Sequence, residues 1–122
     1  MKRLLLALVL LCMAFPATAQ VNQLTILTPL SPAHRLPFDT TSIRITSSFS
    51  DATRAVRVVC TVSCHIQMGV SGANPIAFTG GTTSSIFLAP NVAEYIAVDP
   101  NGKAAVIGVN ASGILFIQEF GR

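Results

Sequence analysis

The stretch Arg54–Val70, RAVRVVCTVSCHIQMGV, decides how the rest of the chain reads. Val56, Val58 and Cys60 alternate with Arg57, and after Thr61-Val62-Ser63 the residues Ile66, Met68 and Val70 alternate with His65 and Gln67. A period of two with one apolar face is the pattern of a half-buried β-strand, so this stretch predicts two strands and a reversal. The cysteines sharpen the prediction. Residues four apart in one strand lie roughly 13 Å from each other, beyond disulfide reach. A Cys60–Cys64 bridge therefore requires a turn at Thr61-Val62-Ser63, with the two cysteines facing each other across a three-residue hairpin loop. Two buried free thiols are the alternative if the protein is assembled in a reducing cytoplasm. A metal site of Cys60, Cys64 and His65 lacks a fourth ligand at the usual spacing.

The same period runs outward in both directions. Towards the C-terminus, Ser71–Thr83 is a long loop rich in Gly and Thr, with Asn74-Pro75 and Gly80-Gly81, and Ser84–Leu88 is a strand stopped by Ala89-Pro90-Asn91. Glu94–Val98 and Lys103–Val109 flank Asp99-Pro100-Asn101-Gly102. Asn-Gly tolerates the positive φ of a type I′ turn, so these two segments are expected to form a hairpin. Asn110-Ala111-Ser112-Gly113 reverses the chain once more into Ile114–Phe120; the same residues match a glycosylation sequon. Towards the N-terminus, Ser42–Phe49 turns Ile43 and Ile45 inward. Ser31–Thr41 carries Pro32 and Pro37, which remove ladder donors, and is expected to be an irregular connector that follows a short first strand, Leu24–Thr28. The expected fold is an all-β antiparallel β-sandwich of about eight strands, jelly-roll-like, with no helix in the mature chain.

Residues 1–19 read as a secretory leader and imply a signal helix ahead of the domain. Lys2 and Arg3 precede an apolar run, Leu4–Phe15, and Ala17-Thr18-Ala19 supplies the small residues of a cleavage site before Gln20. The run is short for a hydrocarbon core that takes about 20 residues to cross, so membrane contact is expected only through an uncleaved leader. Cys12 leaves with this segment. The expected organisation is a signal peptide over 1–19, an extended segment and connector over 20–41, and the sandwich over 42–122. An even pair of mature cysteines in an exported chain favours the disulfide.

Of 8 basic residues, Lys2 and Arg3 belong to the leader, leaving 6 against 5 acids and a mature charge of +1. A nucleic-acid binder needs a stripe of Lys and Arg to neutralise phosphates, and none is present. Charged residues make up 11% of the chain, against about 25% in typical soluble domains. A domain with so little charge either presents a neutral, hydroxyl-covered surface or hides surface against other copies or partners, and the second is favoured. The later strands agree: Ala104–Ile107 and Ile114–Ile117 are apolar on both faces, which places something outside the sheets. Val106, Ile107, Ile114 and Phe116, with the aromatic Phe87 and Tyr95, are the candidate contact residues, with ordinary core packing as the alternative for each.

The catalytic inventory is thin. No Gly-x-Ser-x-Gly elbow is present, and Cys64 and His65, as strand neighbours, point to opposite faces. Asp99 is expected to open a turn and Glu119 to sit at the fraying end of the last strand. Nothing calls for a catalytic residue, a cofactor or a metal.

Several segments, taken in order, resemble the small β-sandwich structural proteins of tailed bacteriophages that decorate capsids or sit near the neck. They are Arg54–Val59, Gly69, Gly72–Ala77, Leu88–Tyr95, Gly102–Ile107 and Ser112–Glu119, within about 53–120. The resemblance implies a non-enzymatic virion protein whose partners are copies of itself or a capsid or neck protein. The leader departs from that pattern, because a protein assembled in the cytoplasm has no use for export. The leader implies instead a periplasmic or extracellular location and, as the alternative, an exported binding module with Ser71–Thr83 facing the ligand.

Overall fold

The computed structural model describes residues 27–77 and 85–122. The leader, Cys12, the start of the first expected strand and Gly80-Gly81 lie outside the described residues. The described chain forms nine strands and no helix: β1 (Thr28–Pro29), β2 (His34–Phe38), β3 (Ile43–Arg44), β4 (Thr53–Cys60), β5 (Cys64–Gly69), β6 (Ile86–Leu88), β7 (Glu94–Ala97), β8 (Lys103–Gly108) and β9 (Gly113–Gly121).

They build two antiparallel sheets. Sheet A runs β2-β9-β4-β7, with the short β1 continuing the β2 edge beside the far end of β9. Sheet B runs β3-β8-β5-β6. Alternation fills the space between them. Phe38, Val56, Val58, Cys60, Leu115 and Ile117 from sheet A meet Ile66, Leu88, Ala104 and Val106 from sheet B in one buried cluster, making a β-sandwich. The pairs β2:β9, β3:β8, β4:β7 and β5:β6 are nested, so the chain is one long antiparallel hairpin wrapped into two layers.

That wrapping corrects both expected hairpins. Every connection from β2 to β9 except β5–β6 passes from one sheet to the other. Cys60 and Cys64 are joined by a disulfide with Cα atoms 6.4 Å apart, but β4 lies in sheet A and β5 in sheet B. The bridge closes an arch between layers. Nearby, Pro90 makes a parallel bridge to Cys60, and the Asn91 N–H donates to the Cys60 carbonyl at 2.7 Å.

Asp99–Gly102 is likewise a turn between sheets. The Gly102 N–H donates to the Asp99 carbonyl at 3.1 Å, which puts Pro100 and Asn101 at its centre, and Asn101 has φ 58°. Proline second and positive φ third define a type II turn, whose twist does not suit a tight hairpin. Gly102 serves another purpose: a Cβ there would collide with the Gly69 carbonyl oxygen.

The connector expected over 31–41 is also corrected. His34–Phe38 pairs with β9 through five residues, and Phe38 is 4% exposed in the core. Pro37 is tolerated because β2 is an edge strand, where a missing donor breaks no ladder on the open side. The sandwich therefore begins before residue 42.

Candidate interaction surface

The two outer faces differ in how they are covered. On sheet B, His65, Gln67 and Gly69 of β5 point away from the core, as do Ala105 and Ile107 of β8. Ala105 is nonetheless fully buried. The chain itself lies over this side: the Pro75 ring occupies the space a Gly69 Cβ would enter, at 2.8 Å, and the Ala77 N–H donates to Ser42 Oγ at 2.9 Å. The apolar outside of β8 is thus met in part by the segment after β5, a packing that spacing along the sequence does not reveal.

Further along sheet B, His65 stands opposite both Phe87 and Ile107. The His65 and Phe87 rings meet edge-on with centroids 5.5 Å apart. Phe87 remains 56% exposed, while the Nδ1 of His65 is buried with no hydrogen-bond partner among the described residues.

On the outside of sheet A the side chains of β4 and β9 are half-buried, and Arg35 and Tyr95 on the flanking strands are exposed. Ile114, Phe116, Gln118 and Phe120 project outward from β9, and Val59 and Arg57 from β4. The register sets Arg35 and Val59 on either side of Phe116, and Gln118 and Tyr95 on either side of Arg57. Tyr95 is 65% exposed and meets the Phe120 ring edge-on at 5.8 Å. The result is an apolar stripe along β9 with an arginine from each neighbouring strand, Arg35 and Arg57. Among the described residues no acid lies on this face, so its charge is positive.

The six contact candidates therefore separate. Tyr95, Ile114 and Phe116 share the outside of sheet A, and Phe87 and Ile107 share the outside of sheet B. Val106 belongs to neither: it is 0% exposed, in the core opposite Ile43 and Ile66. Its parity with Ala104 assigns it inward, and that signal is present in the sequence. Val59, Phe120 and Arg35 complete the sheet A face; the first two share parity with Arg57 and Phe116, whereas Arg35 joins only because β2 is a strand.

Glu119 is not a fraying terminus. Its carboxylate accepts the Ser50 N–H at 2.8 Å and the hydroxyl of the fully buried Thr53, tying the β3–β4 loop to β9. It also borders a cleft of about 140 Å³ at one end of the sandwich, together with His34, Ser48 and Phe49. Imidazole and carboxylate share that rim, but the carboxylate is committed to the loop. The sulfurs of Cys60 and Cys64 are committed to each other, and among the described residues no three His, Cys, Asp or Glu side chains gather as metal ligands.

Comparison with protein-family models, with curated proteins and with solved structures finds no match for this chain.

Proposed function

We propose that this chain is a non-enzymatic structural protein that acts by packing sheet exterior against neighbouring subunits, as a capsid-decoration or neck-associated protein of a tailed phage does. The observation that carries this reading is the outside of sheet A, where Ile114, Phe116, Val59 and Phe120 form a half-buried apolar stripe beside the exposed Tyr95. A contiguous apolar patch on the outside of a sheet is a common mark of an interaction site. The nested pairing supports a jelly roll, the two-sheet wiring that recurs in capsid proteins. Glu119, placed to serve the β3–β4 loop, and the disulfide, which consumes both mature thiols, support a structural role over a catalytic one.

A second reading, an exported cell-surface or periplasmic binding module, is favoured by the buried Cys60–Cys64 bridge, since disulfides persist in oxidising compartments. The test of the first reading is light scattering of the full chain beside Phe116→Glu. The wild type is expected to associate at micromolar concentration, and the variant, altered only on the outer face, to remain folded and monomeric. A strictly monomeric wild type overturns the packing reading. Mass spectrometry of the mature N-terminus bears on the second reading, for which a chain starting at Gln20 is expected.

A further inference from the structure

We propose that the neighbour is a second copy joined head to tail by strand addition, the β7 edge of one copy docking along the β3 edge of the next. This rests on the reading that the chain acts by self-association, and it adds a contact at the sheet edges that is separate from the sheet A face. Both strands end their sheets: β7 is the last strand of sheet A and β3 the first of sheet B, and the two edges lie on opposite sides of the sandwich. Among the described residues no strand pairs with either open edge.

Each edge has backbone groups to offer. The Val98 N–H donates to the Arg54 carbonyl, which makes Ile96 and Glu94 the residues bonded to β4 and turns the N–H and C=O of Tyr95 and Ala97 outward. The Ile45 N–H donates to the Ala104 carbonyl, which by the same alternation turns the backbone groups of Arg44 outward.

Charge and shape match the edges to each other. β7 begins at Glu94 and leads into Asp99, both exposed, with Tyr95 between them. The β3 edge borders a groove of about 550 Å³ in which Ile43, Pro75 and Ile76 supply apolar wall and Arg44 and Lys103 supply positive charge. Ile43 and Ile76 are both exposed there. Edge strands left open are templates for another chain, and because these two edges differ, the contact is heterologous and builds a ring or a filament.

Sedimentation velocity on the full chain tests this with Arg44→Glu, Glu94→Lys and their 1:1 mixture. The wild type is expected to assemble at low salt and to weaken as salt rises. Each variant alone is expected to associate at least tenfold more weakly, because like charges then meet at every contact. The mixture is expected to recover wild-type assembly: its contacts alternate between the native pair and one in which both charges are reversed, so opposite signs meet throughout. Circular dichroism confirms folding; should either charge reversal misfold, Arg44→Gln and Glu94→Gln replace the pair and are expected to weaken assembly by a smaller factor. Variants that assemble like wild type, or a folded mixture that fails to recover, overturn the proposal. If the wild type assembles and only Phe116→Glu disrupts it, the packing reading stands and the edge contact falls; a monomeric wild type removes both.

Discussion

Thr53 and Glu119 show how much one hydrogen bond carries at a sheet end. Thr53 is the buried polar residue among the core-facing positions, at the point where a register shift interrupts the β4:β9 ladder. Its hydroxyl donates to the Glu119 carboxylate, which in turn fixes the Ser50 N–H and so the entry into β4. Thr53→Val keeps the shape and removes the donor. It is expected to lower stability by about 1–3 kcal/mol, the cost of leaving a charged acceptor short of a partner, read as a shift in the urea midpoint with unchanged slope. An unchanged midpoint shows that water replaces the hydroxyl and that the contact fixes nothing. From the sequence Glu119 reads as a fraying end, because parity gives the face of a strand residue but not the loop that returns to meet it.

Among the strands, β2 is the instructive one. Two prolines within a few residues read as a connector, and local propensity does disfavour a ladder there. Tertiary context overrides it: β9 offers a free edge, and Leu36 and Phe38 point into the core from the β2 side. Phe38→Ala is expected to cost about 3–5 kcal/mol, the usual range for a fully buried phenylalanine, whereas a side chain on a loose connector changes stability by under about 0.5 kcal/mol. Denaturant unfolding separates these outcomes. The strands around Cys60 and Asn101 are legible as strands, and their turn residues as turns. Which strand each one pairs with is not, because alternation is identical whether the next strand lies beside it or across the core.

For the molecule taken together, the disulfide joins the two layers at the arch where β4 leaves sheet A. Both cysteines are fully buried, so reductant reaches them only when the sandwich opens. The double variant Cys60→Ala with Cys64→Ala is expected to lose about 2 kcal/mol, the chain-entropy value for so short a loop, and to fold to the same two sheets. Thiol labelling of the wild type under reductant is expected to stay slow below the unfolding transition and to accelerate through it. Rapid labelling in native buffer contradicts the burial. The exterior behaves differently from the expectation of two-sided apolar strands: β8 is covered partly by the segment after β5, and the outward side chains of β9 are half-buried between Arg35 of β2 and Arg57 of β4. The candidate surface is accordingly half legible, since parity picks out Ile114, Phe116 and Tyr95 but not which face the chain covers for itself. Strand content, the core-facing set and the position of the turns are written into the chain directly, because they follow from a local period of two and from the φ preferences of Pro, Asn and Gly. The sheet to which each strand belongs, the cover over β8, the inclusion of β2 and the arginines that flank the outside of sheet A emerge only on folding. Those depend on contacts between residues far apart in the chain, which no local pattern encodes.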